Sequence, residues 1–413
     1  MRFIYNSLIF LLEGILLFFK PFNNKIGKFI IERKNTLEYL DANLNNGDKN
    51  IWIHVASLGE YEQGLPIFSE IKKLYKDHKI ILSFFSSSGY ELRKNNPISD
   101  FTIYLPIDSK KNAEDFINIV KPKKVFFVKY DFWPNYLYYL KLNNIPTFLL
   151  VGVFRKNHWF FKFYGLWMKK NLLAFHHFFV QDEESKDILI ENGFSNTTVM
   201  GDSRYERVID LPYQENEIER IEKFINSRTC IVAGSTWKED ENLFINYLNS
   251  DLSNNMCLII VPHKINHNSI NTNRNLINEE TVLMSKLNAN PDKKIRVLYL
   301  DAIGMLTKIY SYADIAYVGG GMGKTGLHNT LEPAAFGLPI IIGKNYEKFR
   351  EVKKLVSLGG IVSVKNQKKF NKILNDLRVD NKKRDQIGEI NYNFVKKNIG
   401  ASAVVINYLK KMI

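Results

Sequence analysis

The chain has 413 residues, 45% hydrophobic and 24% charged, which excludes a disordered or fibrous protein and allows two hydrophobic cores. Lys and Arg outnumber Asp and Glu by 57 to 43, a formal charge of +14. That excess reads either as a site for anionic partners or as a solubilising basic surface, and no DNA- or RNA-binding signature accompanies it, so no nucleic acid is expected.

Phe3 to Phe19 is almost wholly apolar, interrupted by Asn6, Ser7, Glu13 and Gly14, and followed by Lys20, Lys25, Lys28, Arg33 and Lys34. The run is marginal for a bilayer span, which needs roughly 20 apolar residues. No small-residue cleavage site follows, as a signal peptide would require. It is expected to anchor the chain at the inner membrane, spanning it or lying along it, with the cations facing anionic lipid on the cytoplasmic side. The alternative is an apolar helix packed on the body of the protein.

From residue 50 to about 201, short apolar runs alternate with amphipathic stretches. The runs are 51–56, 79–85, 101–106, 124–129, 146–152 and 177–181. Continuous Val/Ile/Phe runs at this spacing predict a parallel sheet covered on both faces. A charge-rich stretch over 204–228 interrupts, and the pattern restarts at 229–234, 256–262, 295–300, 314–319, 339–343 and 360–364. The fold class is therefore α/β, with two Rossmann-like domains facing a cleft. The expected division is an anchor helix and basic flank (1–35), a first domain (36–205), a linker (206–228), a second domain (229–400) and a closing helix (401–413). Cys230 and Cys257 fall in predicted buried strands with no pairing motif, as in a reducing compartment.

Polar residues gather where strands end. Ser57, Gly59 and Glu60 follow the first strand; Glu60 reads either as a routine first-turn carboxylate or as a general base, with Gly59 leaving room for a substrate. Lys129 and Asp131 follow the fourth run and Arg155 the fifth, where an unpaired charge is costly unless used. In the second half, Ser235 and Thr236 cap a helix or hold a phosphate, and His263 and Lys264 supply two cationic groups. The run from Gly319 through Gly320, Gly321, Gly323 and Gly326 offers close backbone approach to a ligand. A predicted short helix then sets Asn329 and Glu332 on one face, suited to sugar hydroxyls. The eight histidines have no metal-ligand spacing, so a mechanism without a metal and without a cofactor is expected.

Taken together, Ala56–Glu60, Tyr104-Leu105-Pro106, Trp133-Pro134-Asn135, Gly201-Asp202, Gly234-Ser235-Thr236 and Gly319-Gly320 through His328–Ala334 resemble the 3-deoxy-D-manno-octulosonic acid (Kdo) transferases of lipopolysaccharide synthesis. The resemblance runs across nearly the whole chain. It implies a GT-B fold and inverting transfer of Kdo from CMP-Kdo to a lipid A precursor. Glu60 matches the family's catalytic base, Asn329 and Glu332 its nucleotide-binding pair, and Ile303 and Gly304 its backbone contacts to CMP. Two departures stand out. Lys129 and Asp131 occupy a position where the family commonly reads Glu-x-Glu, and Pro262-His263-Lys264 replaces Pro-Arg-His. The alternatives are a GT-B transferase using a UDP-sugar, or a catalytically inactive membrane-associated protein of the same fold.

Overall fold

The structure is a computed structural model that describes residues 1–250 and 256–412. It forms two compact units, Met1–Arg207 with Ile399–Ile413, and Val208–Asn398.

The first unit is built on seven parallel strands: β1 (Asn50–Val55), β2 (Lys79–Phe84), β3 (Phe101–Tyr104), β4 (Pro122–Val128), β5 (Thr147–Gly152), β6 (His177–Val180) and β7 (Thr197–Val199). Their order is β3-β2-β1-β4-β5-β6-β7. Every residue of β1 and β5 is buried, which is why these strands read as unbroken apolar runs rather than alternating ones. The second unit repeats the plan with β8 (Thr229–Thr236), β9 (Met256–Pro262), β10 (Thr281–Leu283), β11 (Val297–Tyr299), β12 (Ile315–Val318), β13 (Ile340–Ile342) and β14 (Ile361–Ser363), in the order β10-β11-β9-β8-β12-β13-β14. Cys230 and Cys257 are free, buried and register partners in β8 and β9. The edge strands β7 and β10 have three residues each, too short to stand out as apolar runs.

Each sheet reverses its winding once. In the first, β1 pairs with β2 on one side and β4 on the other; in the second, β8 pairs with β9 and β12. Loops beyond the carboxyl ends of such a pair diverge, leaving a crevice where ligands of parallel α/β sheets sit. The sequence places Glu60 and Asp131 after β1 and β4, and Ser235 and the glycine run at the ends of β8 and β12.

The charge-rich stretch 204–228, which contains the expected linker 206–228, carries the helices Arg204–Ile209 and Glu219–Ile225, with Ile221 and Phe224 buried. An isolated apolar pair in a charged stretch is a weak periodic signal, yet it buries one face of the turn. The last helix, Ala401–Lys410, returns to the first unit and buries Ala401, Val405 and Leu409 in its core. Glu206 closes that helix start, accepting from the N–H groups of Gly400 (2.8 Å) and Ser402 (2.9 Å).

Three helices precede β1: α1 (Arg2–Phe19), α2 (Asn24–Lys34) and α3 (Thr36–Asn43). Among the described residues α1 is the one helix long and apolar enough to cross a membrane. It is fixed to the body along one polar edge. The Tyr5 hydroxyl donates to Asp108 (2.8 Å), Asn135 Nδ2 donates to Asn6 (2.8 Å), and the Tyr5 ring packs 5.3 Å from Trp167. Most of the other apolar side chains of α1 are uncovered, with Phe3 82% and Phe10 79% exposed. Large apolar side chains left this open on a helix surface mark an interaction face.

Candidate active site

In the first unit, β1 ends at Val55 and α4 (Leu58–Leu74) starts three residues later, with Ser57 as its N-cap. Glu60 lies in the first turn of α4. One carboxylate oxygen accepts from the Ala56 N–H at 2.6 Å, and the other has no hydrogen-bond partner among the described residues. The first contact ties the first turn of α4 to the residue before its N-cap; the second oxygen remains open to a substrate. Burial raises the Glu60 pKa. The Ala56 N–H opposes that rise, the Asp131 carboxylate adds to it, and the His54 ring and Lys129 lower it. Nothing but Ser57 Oγ, 3.9 Å away, stands where a side chain on Gly59 would be.

The β4 side supplies the neighbours. Lys129 directly follows this strand in the left-handed region, φ 62°, a backbone strained for a non-glycine residue. Its ammonium is half-buried beside Glu60, Asp202 and Arg204, and burial lowers its pKa. Two residues on, Asp131 accepts from Trp133 Nε1 (3.0 Å) and meets His54 Nε2 at 2.8 Å. Behind it, Ser83 Oγ contacts His54 Nδ1 and accepts from Trp52 Nε1, both at 2.8 Å. A buried polar chain thus runs from Trp52 through Ser83 and His54 to Asp131. A chain satisfied at every step holds its end group rigidly. Arg155 is exposed in the turn after β5 and takes no part in this cluster. His54 and Ser83 escaped the sequence reading because they sit inside apolar strands, where a single polar residue carries no pattern.

In the second unit, Ser235 also has a left-handed backbone, φ 53°, near the end of β8. The Thr236 hydroxyl is buried and donates to Glu241 (2.9 Å). Trp237 then starts the helix Lys238–Leu248. Its ring stacks on His263 at 4.9 Å, its Nε1 donates to His328 Nε2 (2.9 Å), and His263 stacks on His328 at 4.2 Å. Lys264 Nζ lies 5.5 Å from the centre of the Trp237 ring. Burial, with His263 nearby, lowers the His328 pKa to about 4, leaving that imidazole neutral and able to accept the indole proton near neutral pH. A cavity of about 440 Å³ opens here, lined by Thr236, Trp237, Pro262 and Lys264. Trp237 was not selected from sequence, although it directly follows Gly-Ser-Thr, and His328 entered only within the resembling segment, with no role of its own.

The glycine run is braced by the protein itself. A Cβ on Gly320 (φ 88°) would lie 2.0 Å from the Gly326 carbonyl oxygen, and one on Gly321 3.0 Å from the Gly343 nitrogen. Asp240 ties the turn to the neighbouring helix by accepting from Gly320 N (2.8 Å) and the Tyr317 hydroxyl (2.7 Å). The close approach expected with a ligand is therefore made, at these two positions, between protein backbones. Asn329 does not share a helix with Glu332: the helix is Leu331–Ala335, and Asn329 precedes its N-cap, Thr330. Asn329 instead accepts from Leu331 N (3.0 Å), an Asx turn that starts the helix later. The two side chains still meet, Asn329 Nδ2 donating to Glu332 at 3.0 Å. The second oxygen of Glu332 accepts from Thr307 (2.8 Å), which brings in the loop of Ile303, 92% exposed, and Gly304, φ 83°.

Residues 30–207 match the family model described as 3-Deoxy-D-manno-octulosonic-acid transferase (kdotransferase). This segment is a Kdo transferase family domain. The kinship continues beyond it. A 3-deoxy-D-manno-octulosonic acid transferase of Haemophilus influenzae is 27% identical over 382 residues, covering 88% of this chain and 87% of that protein. The Aquifex aeolicus protein of the same description is 25% identical over 329 residues, covering 78% of this chain and 84% of its own. Among solved structures, a UDP-GlcNAc 2-epimerase from Neisseria meningitidis superposes with a TM-score of 0.62 at 14% identity, over 88% of this chain and all of that one. That likeness sets the fold: two parallel seven-stranded sheets of the GT-B type. The chain thus has a GT-B-type fold, and its similarity to Kdo transferases extends from residues 30–207 over most of its length.

Proposed function

We propose that this chain transfers Kdo from CMP-Kdo to a lipid A precursor at the cytoplasmic face of the inner membrane, with Glu60 as general base. The observation that supports this most is Glu60 itself. It stands at the winding reversal of its sheet, its pKa is raised, and one oxygen is open. A base near the operating pH is the most effective one. Glu60 takes the proton of a primary hydroxyl of the acceptor as that oxygen attacks C2 of Kdo. The bond from C2 to the phosphate oxygen breaks on the opposite face, inverting the centre, and CMP departs. Asp131, held by His54 and Trp133, and Lys129 lie within electrostatic reach of Glu60 and orient acceptor hydroxyls and acidic groups. Ser57, Gly59 and Arg155 complete the acceptor side.

In the second unit, Ser235, Thr236, Gly320 and Gly321 shape the donor loop, and Asn329 and Glu332 hold the nucleotide. The Ile303 and Gly304 backbone contacts its base end, while His263 and Lys264 meet the phosphate charge that develops on the leaving group. The transfer runs without a metal in this reading. Uncovered apolar side chains on α1, followed by Lys20, Lys25 and Lys28, bring the enzyme to anionic lipid, where its acceptor resides.

Donor identity is tested by titrating the full chain with CMP and with UDP. CMP is expected to bind at least about tenfold more tightly, a difference of about 1.4 kcal/mol. Equal affinities, or a preference for UDP, would support a UDP-sugar transferase instead.

The charges around Glu60 predict the acid limb of kcat/KM. Burial places that limb above the ordinary glutamate value of 4.5. Asp131→Asn removes a carboxylate that disfavours ionised Glu60, so the limb moves to lower pH. Lys129→Met removes a cation that favours it, so the limb moves to higher pH. Shifts in the same direction, or none, would take these residues out of the base's environment.

A further inference from the structure

The first unit contains a cavity that the reaction as described leaves unused. It measures about 330 Å³ and lies between α1, α2, α3 and the loop after β3, walled by Leu16, Leu17, Ile30, Leu37 and Ile107. The size is at the lower end of ligand pockets. Its charged groups are Arg33 and Lys34 on the last turn of α2 and Glu13 on α1, two cations against one carboxylate. Arg33 is 6% exposed. It donates to the carbonyls of Phe29 and Phe85 and lies 3.6 Å over the Phe29 ring, yet its buried Nε has no hydrogen-bond partner. Its one carboxylate neighbour, Glu32, stands 4.0 Å away, at the edge of ion-pair range, and a guanidinium this buried with a donor left over favours a further anionic group.

Two further observations narrow the occupant. Leu16 and Leu17 belong to α1, whose Ile15 and Phe18 are exposed, so the apolar wall continues onto the uncovered helix face. An alkyl chain entering from a bilayer stays in apolar surroundings throughout. At the other side, Phe85 packs 4.8 Å from the ring of Trp133, the residue that donates to Asp131. Arg33 to Phe85 to Trp133 is thus a contact path toward the group beside Glu60, which favours a lipid that is itself a reactant over one that merely surrounds the protein.

We propose that this cavity holds one acyl chain of the acceptor glycolipid, with an acidic group of that acceptor against Arg33 and Lys34. The assignment rests on the acceptor class proposed above and specifies how it is gripped.

The test compares the full chain with Ile30→Trp, which fills the cavity from α2, using acylated and fully deacylated forms of the acceptor disaccharide. Excluding a few buried methylenes raises the KM for the acylated acceptor by about tenfold or more. On the deacylated acceptor kcat and KM stay at wild-type values. Ile107→Trp fills the cavity from the opposite wall and gives the same split, so a folding defect in one variant leaves the other to decide. An unchanged KM, or an equal change on both acceptors, overturns the proposal. Dodecyl phosphate separates it from the function itself. Binding by wild type that is lost in both variants supports the cavity even if the wild type transfers to neither acceptor; binding unchanged in the variants overturns it. Native mass spectrometry supplies the other occupant. Phosphatidylglycerol retained by wild type and lost in the variants, with KM unchanged, gives the cavity to bilayer lipid and overturns the assignment.

Discussion

Glu60→Gln is expected to lower kcat by at least about 10²-fold, the usual contribution of a positioned general base, with the affinity for CMP-Kdo unchanged. The substitution isolates the proton-accepting role. Glutamine has the size of glutamate, and its carbonyl oxygen still accepts from the Ala56 N–H, so the start of α4 is preserved. What it lacks is a lone pair basic enough to take the acceptor proton. In the proposed function the donor contacts belong to the second unit, which is why CMP-Kdo affinity is predicted to hold. A variant within about threefold of wild type in single-turnover transfer would reduce Glu60 to a helix-start carboxylate and assign the proton to another group.

Asp108→Ala carries the largest expected stability effect. Asp108 is completely buried. Its carboxylate accepts from Asn135 N and Tyr136 N, both at 3.0 Å, the first turn of the helix Pro134–Leu142, and from the Tyr5 hydroxyl of α1 at 2.8 Å. Burial pushes its pKa up to about 7 against those three donors, all of which favour the charged form. Alanine leaves two buried N–H groups without an acceptor and removes a cap delivered from a distant loop. Together these losses cost about 2–4 kcal/mol. Tryptophan fluorescence during urea unfolding reads this well, because Trp52, Trp133, Trp159 and Trp167 all belong to the first unit. A change below about 0.5 kcal/mol would contradict the capping role. Transfer should fall as well, since Trp133 immediately precedes the loosened turn.

The fold was legible because burial on both sheet faces leaves unbroken apolar runs, and twelve of the fourteen strands among the described residues coincide with such runs. What escaped were elements held by long-range packing. The edge strands β7 and β10 are three residues long, and the helix Glu219–Ile225 shows only Ile221 and Phe224 on its buried face. At the site, residues that follow a strand stood out by position, as Glu60, Asp131 and His263 did. Residues whose role comes from a partner far away in sequence did not. His54 acquires its meaning from Asp131, Trp237 from His328, and Asp108 from Asn135 and Tyr5. Local spacing also misplaced Asn329, because an i, i+3 count presumes a continuous helix while the Asx turn at Asn329 delays the helix start. The glycines at 320 and 321 read from sequence as room for a ligand, whereas the groups that approach them are protein backbone, which spacing alone does not name.

The most direct measurement is transfer from CMP-Kdo to tetraacylated lipid A precursor by the full chain in detergent with EDTA, read by mass spectrometry. The expected product is the acceptor heavier by one or more Kdo residues, formed in EDTA and abolished by Glu60→Gln. Intact CMP-Kdo and unmodified acceptor would contradict the proposed donor–acceptor pair, and a product formed only when a divalent cation is restored would contradict the metal-free reading.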